Sequence, residues 1–317
     1  MLELDRVSKS FRVGTFGGTE LVAVRDVSFT VAPGEILSVI GESGSGKSTI
    51  GRMILRLLPA TSGSIRFEGA DVSELTGGRL KEYYRHVQGV FQDPFSSYNP
   101  IFKADRAFSL VRDTYFPRMR SSAWTDKVAD AIESVGLNPA DVLGKYPHQL
   151  SGGQLQRLLI ARALLLEIRF LVADEVISML DASTRVDVLN LLADLGERGL
   201  GILFITHDLS LGNYISSRTV ILRRGSIVEM GPTERVFEGP RHPYTKVLVA
   251  SVPQLHRKWH EVEREVGATA AIEHVAHEDA YAGRDGAPSE LVEVAPGHLV
   301  ARAPGEDGAR GDAAIER

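Results

Sequence analysis

The chain has 317 residues, 43% hydrophobic and 24% charged, the proportions of an ordinary globular protein with one large or two modest domains. A formal net charge of −5 argues against bulk nucleic-acid binding, and the absence of cysteine excludes disulfides, cysteine-ligated zinc and iron–sulfur clusters. No apolar run approaches the roughly 18 residues of a membrane span. The N-terminus, MLELDRVSKSF, lacks a signal peptide's apolar core. The chain is therefore expected in the cytoplasm, reaching a membrane only through a protein partner.

In chain order, alternating apolar residues predict strands through Leu2, Leu4 and Val7 and through Val22, Val24, Val27 and Phe29. Pro33-Gly34 turns the chain into a short apolar strand, Glu35 to Ile40. A glycine-rich loop follows, and then a helix from Lys47 to about Leu57 that Pro59 to Gly63 breaks. A strand at Val87 to Phe91 precedes helical stretches around Ala104 to Tyr115 and Ala123 to Val135, the pattern of an inserted helical subdomain over about 93–165. Strand Phe170 to Ala173, helix Ala182 to Arg198 and strand Ile202 to Thr206 then alternate as a parallel sheet with helices on its faces requires. Arg223-Arg224-Gly225-Ser226 predicts a hairpin turn. Leu255, Trp259, Val262 and Val266 would line one face of a short helix, and the Ala-, Gly- and Glu-rich end is expected to be disordered.

The loop Gly41, Glu42, Ser43, Gly44, Ser45, Gly46, Lys47, Ser48, Thr49 fits the phosphate-loop pattern G-x-x-x-x-G-K-[ST] between a strand and a helix. Glycines let the backbone wrap phosphate oxygens without Cβ clashes. The inward amides and the positive end of the following helix form an anion nest. Lys47 supplies a cation to the β- and γ-phosphates and Ser48 a hydroxyl to Mg²⁺. A plain glycine-rich turn is the competing reading, and the ordered set of strand, loop, Lys and Ser outweighs it.

Strand Phe170 to Ala173 runs into Asp174-Glu175. Asp174 is expected to hold Mg²⁺, directly or through water, and Glu175, pointing elsewhere, to take a proton from the attacking water. A solvated strand end would explain the pair equally well in isolation; the upstream loop favours catalysis. His207 ends another apolar strand, placed to meet the γ-phosphate and water, although a lone His is more often a surface residue. Gln92, after the Val87 strand, has an amide long enough to reach Mg²⁺ or water.

Leu150-Ser151-Gly152-Gly153-Gln154 reads LSGGQ before an apolar helix, Leu155 to Leu166. Ser151, Gly152 and Gly153 cap it with free amides, a second phosphate site in a chain with one phosphate loop. The simplest explanation is that this site serves another subunit's nucleotide.

In these motifs the chain resembles the ABC ATPase superfamily over residues 1 to about 235. The implied fold is an α/β P-loop NTPase of the ABC nucleotide-binding type, with an antiparallel β subdomain, the inserted helical subdomain and a C-terminal extension. The resemblance makes Gln92 the centre of the Q-loop and Ser178 to Asp181 the D-loop, with Asp181 at the nucleotide. It makes His207 the switch histidine and implies ATP and Mg²⁺ as cofactors. An aromatic near the N-terminus should stack on adenine; Phe11 is the candidate, against its reading as a core strand residue. VFQDPFSSYNP, YPHQLSGGQ and GPRHPYTKVLVASVPQL look like the ATP-binding subunits of oligopeptide/dipeptide importers, and Glu290 to Arg302 resembles the far end of their extension.

The chain would then divide into an ATP-binding domain, 1–239, and the extension, 240–317. Two such domains should sandwich two ATP molecules head to tail, the second being a paralogue or another copy. Transmembrane permease subunits, an extracytoplasmic substrate-binding protein acting indirectly, and a peripheral position on the cytoplasmic face of the membrane are implied as well. Phe95 and Tyr98 are expected to shape the permease groove. Three departures stand out: Val176 where the family usually has Pro, no cysteines for the extension's iron–sulfur cluster, and a segment, 14–20, with three glycines after Phe11. Importers of nickel or sugars remain alternatives for the cargo. A DNA-acting ABC protein would need a long coiled coil between Ser48 and Asp174, a ribosome-associated one a second phosphate loop, and a dead regulatory subunit would have lost Lys47, Asp174, Glu175 or His207. His256 and His260 are spaced to share a helix face, but no third metal ligand accompanies them.

Overall fold

A computed structural model describes residues 1–13, 19–251 and 290–302. The first sheet is antiparallel. Strands β1 (Leu2–Val13) and β2 (Thr19–Val31) pair with each other, and β4 (Ser62–Phe67) and β5 (Ala70–Asp71) extend the sheet in the order β2-β1-β4-β5. The second sheet is built on β3 (Ile36–Ile40), β6 (Val87–Val90), β7 (Phe170–Asp174), β8 (Gly201–Thr206) and β9 (Arg218–Arg223), all parallel. Strand β10 (Ser226–Pro232) turns back antiparallel on β9. The hairpin β11 (Leu291–Ala295) and β12 (His298–Ala301) adds to β10, giving the order β11-β12-β10-β9-β3-β8-β7-β6.

The helices are α1 (Lys47–Ile54), α2 (Gly77–His86), α3 (Arg106–Tyr115), α4 (Ser121–Glu133), α5 (Pro139–Val142), α6 (Gly152–Leu164), α7 (Ala182–Glu197), α8 (Leu209–Ile215), α9 (Thr233–Glu238) and α10 (Pro243–Ala250). α1 stops three residues short of the predicted Leu57. Arg56 takes a positive φ of 53°, and the hydroxyls of Tyr83 and Tyr84 donate to the carbonyls of Ile54 and Leu55 that the helix leaves unpaired. Helix α2 and strands β4 and β5 went unread in the sequence because their apolar spacing is sparse. The segment 255–266, the pair His256 and His260, and the last residues lie outside the described residues.

Alternation along the central strands assigns the two faces of the parallel sheet. Leu171, Ala173, Ile202 and Phe204 join one buried cluster with the helical block, including Trp124, Val128, Leu155 and Leu159. Leu37, Val39, Val172, Leu203 and Ile205 face the other way, against α1 and the antiparallel sheet. The helical block is thus packed directly onto the strands that end in Asp174 and Thr206. Among the described residues no helix is long and apolar enough to cross a membrane.

Candidate functional site

All four predicted loops leave the same edge of the sheet. In the order β3-β8-β7-β6 the parallel strands deliver, in turn, Gly41–Thr49, His207, Asp174-Glu175 and Gln92. The carboxyl edge of a parallel sheet is where α/β folds gather ligand-binding groups, because the loops there are free while the strands are fixed.

The loop after β3 is shaped by glycine where no side chain fits. A Cβ at Gly41 would stand 2.1 Å from the Leu222 carbonyl oxygen of β9. Gly46 has φ +103°, and a Cβ there would lie 2.4 Å from the Ala23 oxygen of β2. Inside the loop, the Lys47 Nζ donates to the carbonyls of Gly41 and Glu42, each at 2.7 Å. Lys47 is buried, which holds its pKa below the ordinary lysine value although Glu175, Asp174 and Glu42 pull it upward. Two contacts support the loop from outside. The Gly225 amide donates to the Ser45 carbonyl at 2.9 Å, and the Glu42 amide to the Tyr244 hydroxyl at 3.3 Å. Neither Gly225 nor Tyr244 was identified from sequence as part of the site, because both arrive from distant strands or helices.

Next to the loop, the Ser48 Oγ donates to Asp174 Oδ1 at 3.0 Å. Asp174 is buried, and desolvation raises its pKa, with Glu175 adding to the rise and the Ser48 hydrogen bond opposing it. Among the described residues no group of three His, Asp or Glu converges to hold a metal alone. A hard cation at Ser48 and Asp174 would take its remaining oxygens from phosphate and water, the habit of Mg²⁺.

Glu175 sits in the left-handed region at φ 50°, rare for a residue with a side chain. Its amide donates to the Ile205 carbonyl at 2.9 Å, and its carbonyl accepts from the Ser178 amide at 3.1 Å and hydroxyl at 2.9 Å. This backbone costs about 1–3 kcal/mol and turns the carboxylate away from Asp174 toward β8. There Glu175 Oε1 meets His207 Nδ1 at 3.2 Å. The sequence placed both residues at strand ends but not in contact, which depends on β7 and β8 being neighbours. Gln92 is exposed. Just before it, the Phe91 carbonyl accepts from Gln156 Nε2 of α6 at 3.3 Å, tying the loop's start to the helix after the LSGGQ turn.

That turn forms a capping box. Ser151 Oγ accepts from the Gln154 amide at 3.2 Å, and Gln154 Oε1 accepts from the Ser151 amide at 2.9 Å. Gln154 thereby closes α6. A Cβ on Gly152 would make ordinary contacts with Leu180 and Phe95, at 3.7 and 3.8 Å, whereas one on Gly153 would strike Thr184 Cγ2 at 2.3 Å. The predicted D-loop residue Asp181 is engaged in the same fashion. Its carboxylate caps α7, accepting from the Thr184 amide at 3.0 Å, the Ser183 hydroxyl at 2.7 Å and the Thr184 hydroxyl at 2.8 Å, bonds that hold its pKa far below the carboxylate range. Phe11 is half-buried and belongs to neither sheet's core. Lys9 Nζ lies 5.1 Å from its ring centroid, and its strand pairs with β2 beside Ala23 and Val24, which abut Gly46.

Comparison with known proteins fixes the lineage. The family model described as ABC transporter matches residues 24–178, and that of the oligopeptide/dipeptide transporter C-terminal region matches 228–284. The oligopeptide transport ATP-binding protein of Streptococcus mutans is 40% identical over 310 residues, which cover 95% of this chain and 94% of that protein. The chain belongs to the ABC transporter family. The glutathione import ATP-binding protein of Salmonella paratyphi A is 42% identical over 285 residues, 89% of this chain but 45% of that protein, so the chain spans less than half the length of this relative. A solved dimeric ATP-binding cassette in a post-hydrolysis state, bound to ADP and Pi, superposes with a TM-score of 0.66 at 26% identity, covering 74% of this chain and 99% of that one.

Against the ABC pattern, one of the three departures now has a place in the structure. Val176 is buried in the cluster that holds Ile177 and Leu180, so the turn after Glu175 is anchored by packing. The C-terminal hairpin β11–β12 is pinned through a side-chain pair, His298 Nε2 with Glu229 Oε1 at 2.7 Å, both buried.

Proposed function

We propose that this chain binds ATP with Mg²⁺ and hydrolyses it to drive an ABC importer of oligopeptides or dipeptides. Residues 1–239 would form the ATP-binding domain, with the helical part at about 93–165, and 240–317 the extension. The observation that carries the reading is the convergence of Lys47, the Ser48–Asp174 pair and the Glu175–His207 pair on one sheet edge, beneath a loop whose path requires glycine at Gly41 and Gly46. Names of relatives, which concern oligopeptide, peptide and glutathione import, support the class of cargo.

In this reading the loop amides and Lys47 hold the β- and γ-phosphates, and Phe11 meets the adenine. Ser48 and Asp174 would hold Mg²⁺, with Gln92 reaching it as its loop moves. Magnesium would neutralise charge on the phosphates when bound. Glu175 takes a proton from the attacking water. His207 fixes the carboxylate through Nδ1 and, as the switch histidine, would meet the γ-phosphate and the attacking water. Gly152 and Gly153 offer their amides, and Ser151 its hydroxyl proton, to a nucleotide held by a second ATP-binding chain, a paralogue or a copy; the Ser151 amide, expected to be free, is taken by Gln154 Oε1. Gln154 acts by closing the cap, and Asp181 by fixing the α7 end that abuts Gly153.

Permease subunits would dock on the helical block from the cytoplasmic face of the membrane, with an extracytoplasmic substrate-binding protein acting indirectly. Of the two aromatics expected there, Phe95 is 49% exposed. Tyr98 is buried, its hydroxyl 3.5 Å from the Leu155 carbonyl, and so is withdrawn from that surface. Exposed Ile101, Phe102 and Leu110 take its place.

The test is reconstitution with the permease that co-purifies from solubilised membranes. ATP hydrolysis should rise when a peptide-loaded binding protein is added to proteoliposomes. Hydrolysis stimulated by nickel or sugar instead would replace the cargo, and a chain with no magnesium-dependent ATPase activity would remove the reading.

A further inference from the structure

The sequence His242-Pro243-Tyr244 opens the extension and takes no part in the chemistry above, yet it reaches the phosphate loop. The contact is to one peptide unit. The Gly41 carbonyl accepts from Lys47 Nζ at 2.7 Å, and the Glu42 amide of that same peptide donates to the Tyr244 hydroxyl at 3.3 Å. In a trans peptide the C=O and N–H point in opposite directions within one rigid plane. Lys47 and Tyr244 therefore hold it by its two opposite edges.

The tyrosine is held in turn. Its ring is buried, with the Arg223 guanidinium 4.9 Å from the centroid, and its hydroxyl pKa is pushed up to about 12, by burial first and then by the Glu42 carboxylate, which keeps the phenol neutral. Pro243 starts α10, and His242 Nδ1 accepts from the Tyr244 amide at 3.1 Å. The His242 amide donates to Glu229 Oε2 at 2.9 Å, and the Arg241 amide to Oε1 at 2.8 Å. Glu229 Oε1 also receives His298 Nε2 at 2.7 Å, from β12. An unbroken series of short-range bonds thus leads from the C-terminal hairpin to the loop.

We propose that Tyr244 is a positioning residue for the phosphate loop, and that the Glu229–His298 pair makes its grip depend on the docked β11–β12 hairpin. This rests on the loop being the nucleotide site. Calorimetric titration of MgATP into the full chain tests it. Tyr244→Phe should weaken binding about two- to tenfold, the worth of one hydrogen bond, with little change in melting temperature and faster hydrogen exchange at the Glu42 amide. His298→Ala should weaken binding as well, and the double variant should bind no worse than Tyr244→Phe alone, since both act through one contact.

Lys47→Ala is the control. If it binds like the wild type, the nucleotide reading has failed. If it is blind to ATP while Tyr244→Phe matches the wild type in affinity and exchange, the inference alone is overturned. Additive losses in the double variant would remove the dependence on the hairpin. Should His298→Ala not fold, Tyr244→Phe with its exchange readout decides.

Discussion

The two glycine- and hydroxyl-rich turns, 41–49 and 150–154, look alike in sequence and are built for different tasks. In the first, polar groups meet across strands: Lys47 with main-chain carbonyls, Ser48 with Asp174, Glu175 with His207. In the second, the polar side chains are spent on each other, Ser151 with Gln154, and the nearest neighbours of the glycines are Phe95, Leu180 and Thr184 rather than any residue of the phosphate loop. The sheet edge carries cation, hydroxyl, acid and base in one chain. The signature turn offers only backbone amides and a helix end, and under the proposed function it meets a nucleotide brought by another chain.

Substitutions on the sheet edge should break chemistry first. Glu175→Gln should lower ATP turnover by about 10²- to 10⁴-fold, the worth of a positioned general base, with nucleotide affinity retained. Turnover near the wild type would show that the proton goes elsewhere. Gly41→Ala should destabilise the fold by about 1–3 kcal/mol, as overpacking does, because its Cβ would meet the Leu222 oxygen at 2.1 Å. Gly44→Ala, with φ +82° and no atom within 4 Å, should cost only the left-handed backbone penalty of about 1 kcal/mol. Denaturant melts of the pair check this, and equal losses would contradict the packing account.

On the signature side the same logic predicts a structural penalty without nucleotide. Ser151→Ala should lose about 1 kcal/mol of stability as a lost helix cap, read by thermal melting of the nucleotide-free chain. The smallest effect has the opposite sign. The folded-state pKa of Asp174 is raised, chiefly by burial. A raised acid pKa means the folded state holds its proton more tightly than the unfolded state. Stability from this group is present below the unfolded pKa and lost as pH rises through the folded value. Asp174→Asn should therefore raise the melting temperature of the nucleotide-free chain at neutral pH, with the gain fading under acid conditions. A lower melting temperature would contradict it.

Much of the sheet edge was legible because phosphate binding requires contiguous residues, so Gly41–Thr49 announces itself, and acids at the tip of an apolar strand mark Asp174 and Glu175. What was hidden depends on strand order. The Glu175–His207 contact needs β7 beside β8, and the supports from Gly225 and Tyr244 need β9 and α10 beside β3. Tyr98 shows the limit for surfaces: an aromatic in a polar run reads as exposed, and only packing under α6 reveals it as buried. The structural role of Gln154 was within reach, since Ser151-Gly-Gly-Gln154 has the S-x-x-Q spacing of a capping box.

The central claim is that the two turns complete one site only across two chains. The measurement is ATPase activity after mixing a Lys47→Ala chain with a Gly152→Asp chain. Gly152 is the suitable position because its Cβ finds space, whereas Gly153 would strike Thr184. Each variant alone should be inactive, since both composite sites of its dimer carry one lesion. In a mixed dimer both lesions fall in one site, and the other pairs an intact Lys47 with an intact Gly152. Activity should therefore return on mixing, and where the partner is a paralogue Gly152→Asp should silence the paralogue's nucleotide. No rescue in a demonstrated mixed dimer, or an untouched site on a demonstrated paralogue, would contradict the account.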